Sequence, residues 1–259
     1  MRGGMIGISS IVRALGFALL ALGLALPARA GSPARLDLEY HLYGFGIHAM
    51  TIRLRYTRRD DGYRSLVNAR TEGVVGAFYD YELHVDAKGS RDGAVLRPRR
   101  YITIGQGSEG GKRLKLKYAD DGEITIETDQ TLATDELAAR AQRGHGTIDP
   151  LSALLTLIET LAETGSCDAK IPVFDGKRRY DLVSTAADTE DGVACRVALE
   201  QIAGFRSREK DSPRYPKTMT IRFGAVVEGF PPMPLEVTAS NFFGLLTLRL
   251  IDAKLTPAS

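Results

Sequence analysis

Tryptophan is absent from the 259 residues, cysteine occurs twice and histidine four times. Each scarcity removes a class of chemistry. Cys167 and Cys195 form no Cys-x-x-Cys, and His41, His48, His84 and His145 show neither H-x-x-x-H spacing nor an adjacent cysteine. Zinc modules and thioredoxin-type redox pairs depend on such spacing, because their ligands or thiols converge from one local turn. The nucleophile elbow G-x-S-x-G of the α/β-hydrolases is missing too. Nor does one sign of charge dominate: 34 Lys and Arg face 32 Asp and Glu, a formal charge of +2. Arg2, Arg13 and Arg29 all precede the first acidic residue, Asp37, so the chain from Gly31 onward holds 31 basic against 32 acidic side chains, a charge of −1. The bulk positive field of a nucleic-acid binder is lacking, and no nucleic-acid partner is expected. With 44% apolar and 25% charged residues, wholesale disorder is excluded as well.

What is present begins with an address. Arg2 supplies a positive start, Ala14 to Leu26 is apolar apart from glycine, and Ala28-Arg29-Ala30 offers a small-x-small cleavage pattern before Gly31. Residues 1–30 therefore read as a cleaved secretory signal and 31–259 as a single β-rich periplasmic domain, soluble and without a membrane anchor. An anchor of roughly 20 residues would have to take Arg13 into the bilayer. Gly31 stands where a lipoprotein signal needs cysteine. In an oxidising compartment Cys167 and Cys195 are expected to form one disulfide, worth about 3 to 4 kcal/mol on the chain-entropy account.

From Leu36 the apolar period is two, the pattern of half-buried strands. Leu36, Leu38, Tyr40 and Leu42 share one face, and Met50, Ile52, Leu54 and Tyr56 repeat the alternation after Gly44-Phe45-Gly46. Turn chemistry at Asp60-Asp61-Gly62 and Asp120-Asp121-Gly122 separates further strands. The expected fold is mainly β: a curled antiparallel meander of about eleven to thirteen strands, forming an open barrel, half-barrel or β-spiral. One amphipathic helix is expected to pack on it. Asp149 is placed to cap this helix and Pro150 to fill its first turn, after which Leu151, Leu154, Leu155, Ile158 and Leu161 recur at helical spacing up to Gly165. Thr134 to Arg143 suggests a second, more polar helix.

No catalytic, cofactor-binding or metal-binding residue stands out. Gly105-Gln106-Gly107-Ser108-Glu109-Gly110 fits G-x-G-x-x-G, yet the alternating Lys112 to Tyr118 that follows is a strand, so the run reads as a hairpin tip. Arg113, Lys115 and Lys117 share a strand face, and with Arg97, Arg99, Arg100, Lys177, Arg178 and Arg179 they are candidates for a patch toward anionic envelope material. His145, Asp149 and Ser152 cluster in sequence as a Ser-His-Asp set would, but a triad is defined by geometry. The expectation is that Asp149 caps the helix and that Ser152 is at the surface.

The run Asp149-Pro150-Leu151-Ser152-Ala153-Leu154, with Leu96-Arg97-Pro98 before it and Val173-Phe174-Asp175-Gly176-Lys177, Gly192-Val193-Ala194-Cys195 and Tyr215-Pro216-Lys217 after it, resembles an exported bacterial family known as domain of unknown function 3108. The resemblance implies a curled β-sheet similar to the lipoprotein-carrier half-barrels. It transfers no catalytic residue, and Asp149, Pro150 and Ser152 carry over as structural positions only. Strands apolar on both faces, such as Phe242 to Ile251, need a second burial partner. The leading expectation is thus a non-catalytic protein binding a lipid or other amphipathic envelope ligand, with no cofactor. An envelope scaffold working through protein contacts and a hydrolase of cell-wall polymers are the alternatives.

Overall fold

The computed structural model describes residues 34–107, 110–131, 134–189, 192–205, 216–241 and 244–257. The leader expected over residues 1–30, Ser108 and Glu109 of the glycine-rich tip, Tyr215, and the pair Phe242 and Phe243 lie outside the described residues.

Alternation of apolar and polar side chains makes each strand two-faced. Among the described residues seven strands precede the long helical segment: β1 (Ala34–Gly44), β2 (Ile47–Arg58), β3 (Gly62–Thr71), β4 (Tyr81–Asp92), β5 (Val95–Gly107), β6 (Gly110–Tyr118) and β7 (Ile124–Thr128). Six follow it: β8 (Ala169–Phe174), β9 (Arg179–Ala187), β10 (Val193–Ala203), β11 (Thr218–Gly224), β12 (Met233–Asn241) and β13 (Gly244–Pro257). All thirteen join one antiparallel sheet, in the order β7-β6-β5-β4-β3-β2-β1-β13-β12-β11-β10-β9-β8. The first and last strands pair at its centre, with Leu38 opposite Ala253 and Leu42 opposite Leu248. Its two edges, β7 and β8, are neighbours in sequence. The helices between them are therefore delivered to the gap that the curling sheet leaves open.

Among the described residues three helices are present where one packed helix and a more polar companion are expected. α1 (Gly73–Phe78) joins β3 to β4. It buries none of its residues, which is why no apolar stripe announces it. α2 (Thr134–Gly144) packs against β7 and β8, and α3 (Pro150–Thr164) against β4, β5 and β8. The short strand β8 is likewise unanticipated.

α3 starts as its sequence dictates. The Ser152 amide donates to Asp149 Oδ1 at 2.9 Å, and Pro150 occupies the first turn. Gly165, at φ 70°, ends it. Leu151, Ala153, Leu155, Leu157, Ile158 and Leu161 are buried against the inward face of the sheet.

The sheet edges approach each other without pairing, so the fold is an open, half-barrel-like sheet rather than a closed barrel. Two glycines allow the approach. A Cβ on Gly144, at the end of α2, would lie 2.7 Å from the Phe174 ring on β8 and 2.8 Å from Ile124 on β7. A Cβ on Gly176, in the β8–β9 turn at φ 92°, would overlap the Leu114 side chain on β6.

Candidate functional site

The inward face divides into two zones along the strands. One end of the sheet, called here the helix end, carries the β2–β3, β4–β5 and β6–β7 turns, and α3 lies across it. The Ala94 amide of the β4–β5 turn donates to Glu163 Oε2 at 3.1 Å. The inward residues Leu36, Tyr56, Tyr63, Ala87 and Leu116 near this end are buried.

Two carboxylates, one on α3 and one at its N-cap, anchor it there. Glu159 is 2% exposed and accepts from the Tyr56 hydroxyl at 2.6 Å, from Arg58 at 3.1 and 3.2 Å, and from Arg91 at 3.1 Å. A carboxylate so deeply placed is tolerated only because its lone pairs are met by cations and a hydroxyl. Burial, reinforced by the Glu159 charge, pushes the Tyr56 phenol far above its ordinary value.

The second anchor is Asp149. It is fully buried, its Oδ2 accepts from Ser152 Oγ at 2.6 Å, and Ser152 Oγ lies 2.6 Å from the Tyr63 hydroxyl on β3. Burial pushes the Asp149 carboxyl up to about 6, although the Ser152 hydroxyl and amide work in the opposite direction. Its charge also helps raise the phenols of Tyr63, Tyr101, Tyr118 and Tyr180, each of which is raised mainly by burial.

Ser152 is thus not at the surface, as its sequence suggests, but has no exposed area at all. Its hydroxyl is consumed by the link between helix and sheet. His145 is exposed and its Nδ1 faces the Gly122 carbonyl at 3.1 Å, so the three residues form no Ser-His-Asp relay. A hydrolytic site at this helix start has no imidazole aimed at the serine, and the serine itself is sealed from solvent.

Cys167 and Cys195 stand at disulfide-bonding distance, with Cα atoms 5.5 Å apart. The pair ties the segment after α3 to β10, across β8 and β9. Arg100 lies opposite Lys117 on neighbouring strands, but much of the candidate basic patch is paired with acidic side chains. Lys115 and Lys117 both pair with Glu127 on β7, Arg100 with Asp86, Arg97 with Asp92 and Arg178 with Asp175. Burial opposes ionisation of Asp86, and Arg64 and Arg100 overcome it, holding the carboxyl below its ordinary value. Among the described residues no group of three or more His, Cys, Asp or Glu is placed to hold a metal ion. His41 and His48 stack at 4.2 Å on the outward face.

Away from the helix end the inward wall changes character. Leu42, Met50, Ile52, Val67, Leu248 and Leu250 face inward by register, yet they are only half-buried. Beyond them the β1–β2 turn, α1 and the start of β13 expose large apolar side chains: Phe45 at 74%, Phe78 at 89%, and also Ile47, Val74, Tyr79 and Leu245. Phe45 is the one described residue other than glycine with positive φ, at 52°. A bulky residue in that region costs about 1 to 3 kcal/mol, and such strain concentrates at functional positions. This open end, with its apolar interior wall and exposed apolar rim, is the candidate site. Leu245 and Ile251 on β13 are exposed, so the second face of that strand does not gain the burial partner its pattern suggests; Leu255, opposite the inward Leu36, is exposed as well.

The fold and these positions can be set beside known proteins. Over 88% of its length the chain is similar to a β-barrel-like protein of domain of unknown function DUF1849 from Brucella abortus, matching 99% of that chain with a TM-score of 0.52 and 13% identity. This likeness is one of fold. A structure described as an outer membrane lipoprotein-sorting protein domain from Vibrio parahaemolyticus matches over 88% of this chain and 87% of that one, at 10% identity and a TM-score of 0.30, too low to bear an argument. Residues 38–194 match the family described as protein of unknown function, DUF3108, and the chain belongs to that family. No curated protein matches it.

The residues that sequence reasoning missed are Glu159, Tyr56, Arg58, Arg91 and Tyr63. One signal was available: Glu159 lies seven residues after Ser152 and four after Leu155, on the helix face that is buried, where a lone carboxylate demands partners.

Proposed function

We propose that the protein is a non-catalytic, exported binding protein of the bacterial periplasm, holding an apolar or amphipathic envelope ligand at the open end of its curled sheet. The observation that carries this reading is the burial gradient on one continuous inward face. Leu36, Tyr56 and Leu116 are sealed toward the α3 end, while Leu42, Met50, Ile52 and Leu248 are half-buried toward the other. A protein with no need to admit a guest gains by packing both ends, since each half-buried leucine or isoleucine forfeits part of about 1.5 to 3 kcal/mol. A concave apolar wall with few polar groups is the common form of a lipid or small-molecule site. Export through the 1–30 leader and the Cys167–Cys195 pair both fit an oxidising envelope compartment. No helix among the described residues is long and apolar enough to cross a membrane.

The test is purification of the protein from its own cell envelope, followed by native mass spectrometry and solvent extraction. A bound lipid of defined mass supports the proposal. Recovery of none, with an interior filled by side chains in an experimental structure, overturns it. A second reading, an envelope scaffold acting through protein contacts, draws on α1, whose Val74 and Phe78 are exposed without a partner among the described residues. Crosslinking in the envelope to one dominant protein, with no lipid bound, would favour it.

A further inference from the structure

Tyr40 marks the level at which the packed and open zones meet. It is 4% exposed, and the residue two places before it, Leu38, is buried. Leu42, two places beyond, is half-buried, and so are Ile52 and Leu250, the cross-strand partners of Tyr40 on β2 and β13. The Tyr40 hydroxyl is buried and has no hydrogen-bond partner among the described residues. An unpaired buried hydroxyl is unfavourable, and phenylalanine would fill the same space without that cost. Tyrosine is rarely left so unless something else completes it.

The surroundings define what that something is. Leu38, Leu42, Ile52 and Leu250 are apolar, and so are the flanking pairs Leu54–Ala253 and Met50–Leu248 on the same face. Burial pushes the phenol well above its ordinary value, so the hydroxyl is a donor at any physiological pH and needs an acceptor. An ionised acceptor would be buried there with no cation beside it, which is strongly unfavourable.

Resting on the binding reading above, we infer that the Tyr40 hydroxyl is the polar anchor of the ligand site, donating to the neutral carbonyl oxygen of an acyl ester or amide whose chain lies along Ile52, Leu248 and Leu250. The ligand class is therefore a neutral acyl lipid rather than a free fatty-acid anion.

Displacement of the neutral apolar fluorophore N-phenyl-1-naphthylamine by methyl laurate and by laurate at pH 8, on the wild type and on Tyr40→Phe, tests this. Wild type is expected to prefer methyl laurate, and Tyr40→Phe to bind it about fivefold more weakly, the scale of one hydrogen bond. Fluorophore affinity and melting temperature should not fall in the variant, because the lost hydroxyl has no partner in the empty protein. Equal methyl laurate affinity in the two proteins, a preference for laurate, or a lower melting temperature of the variant overturns the Tyr40 assignment while leaving the binding reading standing. Failure of the wild type to bind any of the three compounds overturns both.

Discussion

The Tyr56 hydroxyl on β2 donates to Glu159 on α3 at 2.6 Å. That contact, with Arg58 and Arg91 on the same carboxylate, fixes the helix across one end of the sheet and thereby decides which end stays open.

Replacement of Glu159 by alanine should destabilise the protein by about 3 kcal/mol, near the lower end of the range for breaking a buried pair, because it leaves Arg91 with little access to water. Arg58 is a third exposed and can turn to solvent. Urea unfolding of the two proteins measures the difference. The replacement should also expose inward side chains at the helix end, read as a rise in fluorescence of an apolar dye.

Asp149 makes stability depend on pH in a direction unusual for an aspartate. Its folded value of about 6 lies above its ordinary 3.8, so the folded state holds the proton more tightly than the unfolded one. The stabilisation associated with that proton is complete below the ordinary value and is lost as pH rises through about 6. Asp149→Asn keeps a capping oxygen for the Ser152 amide and has no charge to bury. Its urea midpoint should therefore lose the fall between pH 4 and 6.5 that Asp149 contributes to the wild type, and the variant should be at least as stable at pH 7. A wild-type and variant difference that does not change with pH would contradict the assignment.

Reduction of the Cys167–Cys195 pair should lower stability by about 3 to 4 kcal/mol on the loop-entropy account. Thermal unfolding with and without reductant measures it. Alkylation of the native protein should add no mass until reductant is present.

Gly176→Ala should destabilise by about 2 kcal/mol or more, because its Cβ would meet Leu114 while the backbone stays in the left-handed region. Gly146→Ala, at φ 69° with no atom within 4 Å of the added carbon, should cost only the backbone strain. The gap between the two melting temperatures isolates the closeness of the sheet edges.

The parts of this architecture legible in sequence are those set by local chemistry. Leu36, Leu38 and Tyr40 alternate with Asp37 and Glu39 because one strand face is buried, and Asp149-Pro150 starts a helix because a cap and a first-turn proline act within a few residues. α1 left no trace, since Gly73–Phe78 buries nothing and so carries no stripe. The burial of Ser152 depends on Tyr63, 89 residues away, and no local pattern encodes that distance. The open end is a property of the curl and of where α3 comes to rest. The isolated period-two strands are equally compatible with a filled interior, and only the half-buried state of Ile52, Leu248 and Leu250 separates the two.

The most direct measurement of the central claim is native mass spectrometry of the protein isolated from its own envelope, with solvent extraction of the same sample. The account predicts a near-stoichiometric adduct that solvent releases as a neutral acyl lipid. A protein of bare polypeptide mass, with nothing in the extract, would contradict it.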